Sequence, residues 1–175
     1  ADNRHLIVEN FPHRAVTRRN TGYALDAVME CAVFDPASDQ PFNLCRLIAG
    51  SEGTLFVGVE FELNCEPLPP AGALLCAHFA SVHESLQATV VAMRHRPFGC
   101  ELIDRHILEC TKANLAQAPN RFFVQGDPGA VLVVEVRHED RGVIERTFAE
   151  LIAELRAAGI GYAFPILWGD DCNRV

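Results

Sequence analysis

The stretch AVLVVEVRH, at residues 130–138, is a run of apolar and β-branched residues that predicts a buried strand. From about Arg141 the sequence then follows the apolar period of an amphipathic helix. One stripe of this predicted helix carries Ile144, Phe148, Leu151, Ile152 and Leu155. Gly159 stands where a helix ends in a left-handed residue, and IGYAFPIL, from Ile160, predicts the next strand. The sequence therefore predicts a strand–helix–strand unit.

A similar unit precedes this one. ALLCAHFA, at residues 73–80, predicts a strand, and FGCELID, at residues 98–104, predicts another. Between them, Ser81 and Glu84 have the spacing of a capping box, so we expect a helix from there to about Arg94.

A third helix is predicted between the two units. Asp104 can cap its start, and Pro119 marks its end. One side of this helix is expected to carry Ile107, Leu108, Thr111 and Leu115.

The order strand, helix, strand, helix, strand, helix, strand predicts an α+β fold. The first and last helices match the two crossovers of a ferredoxin-like split βαβ sandwich, with the middle helix added between its halves. The expected result is an antiparallel sheet with helices mainly on one face. A doubly wound parallel sheet is the alternative, and it is less favoured because only four strands are available and no glycine-rich loop follows the first.

Residues 1–68 have a weaker pattern. RHLIVENF fits a helix or a strand, TGYALDAVMECAVF favours a short helix, and FNLCRLIAG fits a helix or a buried strand. TLFVGVEFELNC alternates, which predicts a strand with one face formed by Leu55, Val57, Val59, Phe61 and Leu63. The proline-rich EPLPP at residues 66–70 then predicts a boundary between domains of residues 1–68 and 69–175.

Composition excludes several classes of function. The formal charge of −8 in 175 residues argues against nucleic acid as a partner, because an acidic surface repels phosphate. No apolar run approaches the about 20 residues that cross a bilayer, and no secretory signal pattern is visible.

Seven cysteines lack CxxC spacing, so we expect reduced, mostly buried thiols in a cytoplasmic protein. The histidines have no metal-site spacing, and no metal ligand is predicted. Since the first residue is Ala1 rather than Met, we expect a piece of a longer protein.

The glycine-rich GSEGTL at residues 50–55 has two interpretations. It lacks the Lys-Ser/Thr of a Walker A loop and the spacing of GxGxxG. It can be a tight turn, in which Gly50 ends one element and Gly53 permits the reversal. It can also bring main-chain amides close to a ligand, as an anion-binding nest does. The spacing alone leaves both open.

A resemblance to a known family rests on three stretches in order: RRNTGYALD at 18–26, FNLCRLIAGSEGTL at 42–55, and EPLPP. Together they resemble FAD-linked oxidases of the vanillyl-alcohol-oxidase type, and especially the branch of D-lactate, glycolate and D-2-hydroxyglutarate dehydrogenases. The resemblance implies FAD as the cofactor, with the end of an α+β FAD-binding domain at residues 1–68 and most of the cap domain at residues 69–175. The sequence departs from the family at Ala24 and Phe56, where the family has aspartate and glycine.

The resemblance also assigns residues to the neighbourhood of the flavin. These are Gly50, Ser51, Glu52, Gly53 and Thr54 from the second stretch, and Asn20, Thr21, Gly22 and Tyr23 from the first.

The function that the resemblance implies is the oxidation of a 2-hydroxy acid, such as D-lactate, glycolate or D-2-hydroxyglutarate, by an FAD-dependent parent protein. The catalytic residues of the family fall outside the matched stretches, so none is predicted in this chain, which we expect to be inactive alone. The implied partners are the remainder of the flavoprotein and an iron–sulfur module of the parent. PFGCELIDRHIL and FFVQGDPGAVLVVEV most resemble the large members of the family, which carry iron–sulfur modules after the flavoprotein part. The competing hypotheses are a non-catalytic ferredoxin-like module that binds a small molecule or a protein, and a cysteine-based hydrolase.

Overall fold

The computed structural model of the protein describes residues 3–13, 15–16 and 22–175. Its contacts divide the chain into two compact units, Ala1–Cys65 and Glu66–Val175. The described part of the first unit contains short helices, whereas the second unit contains a sheet. The boundary between residues 68 and 69, and the assignment of the first segment to an FAD-binding domain, stay predictions.

The first unit has three short helices in its described part: α1 Arg4–Asn10, α2 Leu25–Val28 and α3 Cys45–Ile48. For the two stretches that fitted either helix or strand, RHLIVENF and FNLCRLIAG, the structure shows helix. Helices of this length are marginal by themselves, because nucleation fixes several residues for one hydrogen bond. Contacts with neighbouring segments must therefore hold them in place.

The predicted strand at residues 55–63 is wrong. This segment is in no strand, and Val57 and Val59 are 90% and 96% exposed. An alternating pattern becomes a strand only when a neighbouring strand accepts and donates its main-chain hydrogen bonds. No described residue of the chain supplies that ladder.

The second unit is built on a four-stranded antiparallel sheet. Its strands are β1 Ala71–Phe79, β2 Gly99–Asp104, β3 Ala130–His138 and β4 Ile166–Trp168. They lie in the order β2-β3-β1-β4, and each neighbouring pair is antiparallel. Read from the other edge this is 4-1-3-2, the order of the ferredoxin-like split βαβ, so the α+β prediction is confirmed.

Three longer helices connect the strands: α4 Val82–Ala92, α5 Arg105–Ala113 and α6 Arg141–Ala157. Each begins at a side chain that accepts a main-chain N–H: Ser81 from Glu84 at 3.2 Å, Asp104 from Ile107 at 2.9 Å, and Asp140 from Gly142 at 2.7 Å. Such caps satisfy donors that the first turn leaves free, and each stabilises a helix by about 1 kcal/mol. The predicted caps at Ser81 and Asp104 are confirmed.

The larger core lies between the sheet and the helices α4 and α6. On α6 the predicted stripe is buried at Ile144, Phe148, Leu151 and Leu155, with Ile152 packed at the edge. They meet alternate residues of β1, such as Leu75 and Phe79. Gly159, with φ +69°, ends α6 in the left-handed conformation that the sequence predicts.

The opposite face of the sheet is covered in part by α5. Leu108 of α5 and Phe123 pack there against Cys76, Val131 and Leu167. The expectation that Leu115 shares this apolar side is wrong, because α5 ends at Ala113 and Leu115 is 92% exposed. Asn114 takes an extended conformation, which turns the chain away from the helix axis.

The last strand is shorter than predicted. Residues 160–165 follow β1, but only Ala163 forms an isolated bridge there, opposite His78. The carbonyl of Pro165 accepts the N–H of Cys76 at 2.9 Å. Proline has no N–H to return, so the regular ladder begins after it, at Ile166.

Within the described residues, no helix combines the length and apolarity that spanning a bilayer requires.

Candidate functional site

The glycine-rich stretch of the first unit forms a tight turn over residues 51–54, called the 51–54 turn below. The N–H of Thr54 donates to the carbonyl oxygen of Ser51 at 2.9 Å. The two central residues both have positive φ, +49° at Glu52 and +76° at Gly53. Positive φ at both positions is typical of a type I′ turn. Glycine adopts it freely, whereas at Glu52 it costs about 1–2 kcal/mol.

A second motif contacts this turn through one side chain. The hydroxyl of Tyr23 lies 2.8 Å from Oγ1 of Thr54, across 31 positions of sequence. Oγ1 of Thr54 in turn donates to the carbonyl oxygen of Ser51 at 2.6 Å. Because a carbonyl oxygen can only accept, the single hydroxyl proton of Thr54 is used there. Tyr23 is therefore the donor and Thr54 the acceptor in the bond between them.

The main chains of the two motifs also approach each other. The carbonyl oxygen of Gly22 lies 3.5 Å from the position that a Cβ on Gly50 would occupy. Gly22 has φ +104°, a conformation that side chains other than hydrogen rarely allow. The structure thus brings Gly22 and Tyr23 to the 51–54 turn. Asn20 and Thr21, predicted for the same region, lie outside the described residues.

Three hydrogen-bonding groups of the turn, those of Ser51, Glu52 and Gly53 described next, have no partner among the described residues. The side chain of Ser51 is buried at 2% exposure, and its Oγ has no partner among the described residues. The side chain of Ser51 is thus enclosed by protein. Neither Glu52 nor Gly53 donates its main-chain N–H to a described residue. A Cβ on Gly53 would meet nothing within 4 Å, so the backbone there is open to a neighbour.

The helices α2 and α3 hold the two motifs in place. Arg46 of α3 pairs with Glu30 at 3.1 Å, and its guanidinium also lies 3.5 Å from the carbonyl oxygen of Ala27 in α2. Tyr23 precedes α2, and the 51–54 turn follows α3. Fixing one helix against the other therefore fixes the turn near Tyr23.

Phe56 follows the turn at the position where the sequence departs from the family pattern. Its ring meets the edge of Phe61, with centroids 6.2 Å apart and planes at 70°. The residue is half-buried. Its contact is therefore with the neighbouring apolar segment of its own unit.

A pocket of about 520 Å³ also lies in the first unit, beside α1. Its lining includes Arg4, Phe11 and Asp35, and Arg4 pairs with Asp35 at 3.0 Å. None of residues 50–54 lines it. The glycine-rich turn and this pocket are separate features.

The seven cysteines are free thiols, and they are not mostly buried as expected. Cys31 and Cys76 are buried, Cys100 and Cys172 are partly buried, and Cys45, Cys65 and Cys110 are exposed. Burial raises the pKa of the Cys76 thiol to about 12 and also raises the pKa values of Cys100 and Cys172. A nucleophilic cysteine needs a lowered pKa, so these three do not support a cysteine-based hydrolase.

Comparison with known protein families identifies the second unit. Residues 68–168 match the family described as FAD linked oxidases, C-terminal domain. The chain belongs to the FAD linked oxidases. FAD is the cofactor of this family, and the match covers the whole ferredoxin-like sheet.

Curated relatives extend the similarity into the first unit. A D-2-hydroxyglutarate dehydrogenase of Pantoea ananatis is 27% identical over 158 residues, which are 88% of this chain and 15% of that protein. The protein of the same name from Escherichia coli is 28% identical over 170 residues, 91% of this chain and 16% of the relative. The protein of the same name from Pseudomonas putida is 33% identical over 123 residues, which are 70% of this chain and 11% of that relative. This chain thus spans about a sixth or less of the length of these relatives.

Proposed function

We propose that the chain is part of an FAD-dependent oxidoreductase that acts on a 2-hydroxy acid. In this proposal residues 1–68 are the end of the FAD-binding domain, and residues 69–175 are most of the cap domain. The observation that carries it is the junction of two separate motifs, in which Tyr23 bonds Thr54 and Gly22 lies against Gly50. A turn with an open backbone, joined to a second glycine-containing segment, is suited to lie against a flat cofactor.

The residues of the 51–54 turn fit a flavin ring in their chemistry. The ring carries carbonyl and nitrogen acceptors, and the N–H groups of Glu52 and Gly53 are donors without a described acceptor. The open backbone at Gly53 and Gly22 allows a planar group to come close, since a Cβ at either position would meet nothing within 4 Å. Oγ of Ser51 is enclosed, and its main-chain N–H donates to the carbonyl oxygen of Ile48 at 3.0 Å, so in this conformation Ser51 would support the turn without bonding a flavin.

These groups indicate which roles the residues of this chain would have in the parent protein. When bound, FAD would supply the hydride acceptor for the oxidation of the substrate at its α-carbon. The residues of this chain that we assign to the cofactor would line and orient the ring: Gly50, Ser51, Glu52, Gly53 and Thr54, with Asn20, Thr21, Gly22 and Tyr23 beside them. Among these, Glu52 and Gly53 would donate main-chain hydrogen bonds to the ring, because the N–H groups of Ser51 and Thr54 already donate to the carbonyl oxygens of Ile48 and Ser51. The base that takes the hydroxyl proton and the anchor of the substrate carboxylate are proposed to lie outside this chain.

For the substrate, we infer D-2-hydroxyglutarate before D-lactate and glycolate, because the relatives named above are D-2-hydroxyglutarate dehydrogenases. The remainder of the flavoprotein and an iron–sulfur module stay predicted partners, and the cytoplasm stays a predicted compartment.

The test compares the 175-residue chain with the longer protein that contains it. We expect the longer protein to bind FAD with one-to-one stoichiometry and the chain alone to bind it weakly or not at all. Anaerobic addition of D-2-hydroxyglutarate should then bleach the flavin absorbance faster than D-lactate or glycolate does. A longer protein without FAD binding would refute the proposal, and tight binding by the chain alone would show that the cofactor contacts are misplaced.

An alternative function, a non-catalytic module that binds a protein, has one observation in its favour. On α4 the side chains of Val82, Leu86 and Val90 recur every fourth residue and are exposed by 41%, 55% and 64%. Such an apolar stripe is typical of a contact surface. The FAD titration separates the two functions, since a binding module has no reason to take up flavin.

A further inference from the structure

We propose that Tyr23 is a positioning residue, whose hydroxyl fixes the 51–54 turn through Thr54 and does not bond the cofactor itself. The inference rests on the proposed function, because it concerns how the turn is held for a flavin. It gives Tyr23 a specific role within the flavin neighbourhood to which the resemblance assigns it.

The direction of the hydrogen bonds supports this role. Thr54 uses its only hydroxyl proton on the carbonyl oxygen of Ser51, so the proton of Tyr23 is committed to Thr54. The three groups form one chain of hydrogen bonds, in which Tyr23 donates to Thr54 and Thr54 donates to the carbonyl oxygen of Ser51. Its end point is the same carbonyl oxygen that accepts the N–H of Thr54 and closes the turn. Tyr23 thus acts on the atom that determines the shape of the turn.

The conformation of the turn explains why it needs such a support. Glu52 has φ +49°, which is unfavourable for a residue with a side chain. Oγ of Ser51 is buried without a described partner, which is also unfavourable. A turn with both features persists only where neighbouring groups hold it. The hydrogen bond between Tyr23 and Thr54 provides this support from a separate segment of the chain. The residues next to the turn in sequence do not provide it.

The role predicts a specific consequence for the cofactor. Without the hydroxyl of Tyr23, Thr54 keeps its bond to Ser51 but loses one of the two hydrogen bonds that hold its side chain. The N–H groups of Glu52 and Gly53 then sample more orientations, and fewer of these suit a bound ring. The expected loss is that of one hydrogen bond, roughly 2- to 10-fold in affinity.

The experiment uses the FAD-loaded longer protein with Tyr23→Phe, Thr54→Val, Thr54→Ser and the double variant Tyr23→Phe/Thr54→Val. We expect Tyr23→Phe and Thr54→Val each to weaken FAD binding roughly 2- to 10-fold and to change the visible circular dichroism of the flavin. The double variant should lose little more than Thr54→Val alone, because both remove the same bond. Thr54→Ser keeps the hydroxyl and should recover most of the affinity for FAD that Thr54→Val loses.

Tyr162→Phe is the matched control, because the hydroxyl of Tyr162 bonds the carbonyl oxygen of Gln125 at 3.0 Å in the second unit. It should leave the affinity for FAD and the flavin spectrum unchanged. If the wild type binds FAD and Tyr23→Phe binds it equally well, the inference is wrong while the proposed function stands. If the two single losses add in full, Tyr23 contacts the cofactor independently of Thr54, which also overturns the inference. A wild type that binds no FAD refutes the proposed function, and the inference with it.

Discussion

The main-chain N–H of Gln125 donates a 3.1 Å hydrogen bond to Nε2 of His78, whose other nitrogen, Nδ1, lies 2.8 Å from the carbonyl oxygen of Cys76. A carbonyl oxygen only accepts, so Nδ1 carries the proton and Nε2 is the bare acceptor. His78 is fully buried on β1, and this neutral tautomer holds the loop at Gln125 to the sheet. Burial lowers the pKa of His78 below its usual value of 6.5.

Acid should therefore destabilise the second unit through His78. With a lowered pKa in the folded state, the unfolded chain binds this proton first, so the contribution of His78 is complete above about pH 6.5 and is lost as the pH falls. Protonated Nε2 would also face the N–H of Gln125, donor against donor. We expect the free energy of unfolding to fall below about pH 6.5 with a slope of at most about 1.4 kcal/mol per pH unit from this residue.

Urea unfolding across a series of pH values measures this effect. The variant His78→Gln should be less stable at neutral pH but should lose the part of the acid dependence that belongs to His78. An unchanged pH dependence in this variant would contradict the assignment.

Phe148 of α6 should be a main determinant of stability. Its side chain has 0% exposure in the core between α6 and the sheet. Phe148→Ala removes that packing and leaves a cavity, so we expect a loss of about 3–5 kcal/mol in the free energy of unfolding. Leu115→Ala, at a residue that is 92% exposed, serves as the control and should change it by less than about 0.5 kcal/mol. Chemical denaturation of both variants is the measurement, and equal effects would refute the placement of α6.

Gly129 should tolerate no side chain, because a Cβ there would lie 2.1 Å from the carbonyl oxygen of Ala80. Its N–H also donates to the carbonyl oxygen of Phe79 at 2.9 Å. Gly129→Ala must therefore move main chain at the junction of β1 and β3, and we expect it to destabilise by more than about 2 kcal/mol.

Gly159→Ala provides the comparison for Gly129. There the Cβ meets nothing within 4 Å, and only the positive φ of +69° is unfavourable. The expected cost is about 1 kcal/mol. Thermal unfolding ranks the two variants, and a larger loss at Gly159 would contradict the close approach at Gly129.

The cysteines should differ in their rates of alkylation. Cys45, Cys65 and Cys110 are exposed and should react first with iodoacetamide at mildly alkaline pH. Cys76 is buried, and its pKa of about 12 leaves almost no thiolate, so it should react only after unfolding. Peptide mass spectrometry over time measures each rate. Rapid modification of Cys76 in the folded chain would show that β1 is not protected as described.

Local signals in the sequence were sufficient for much of the second unit. Ser81 and Asp104 predict the starts of α4 and α5, and Gly159 predicts the end of α6, because each acts on atoms within a few residues of itself. The stripe on α6 is equally local, since its period follows from helix geometry. The family resemblance, too, rests on short motifs in order.

The same kind of signal failed where a distant partner decides the outcome. Residues 55–63 have the alternation of a strand, yet no described segment pairs with them, so Val57 and Val59 are exposed. Leu115 has the right spacing for the apolar side of α5, but the chain leaves the helix at Asn114. Periodicity shows which face a side chain would take, and it does not show whether a neighbour is present.

The amino-acid sequence by itself determined the number and order of the strands and helices of the second unit, the caps, and the motifs of the first unit. Only the tertiary structure decided between the ferredoxin-like order β2-β3-β1-β4 and the parallel alternative. It also showed that α5 covers the face opposite α4 and α6, and that Tyr23 donates to Thr54. The physical reason is the range of the interactions. Helix caps and turns depend on atoms a few residues apart. Strand order, and the hydrogen bond between Tyr23 and Thr54 across 31 positions, arise only when the chain folds.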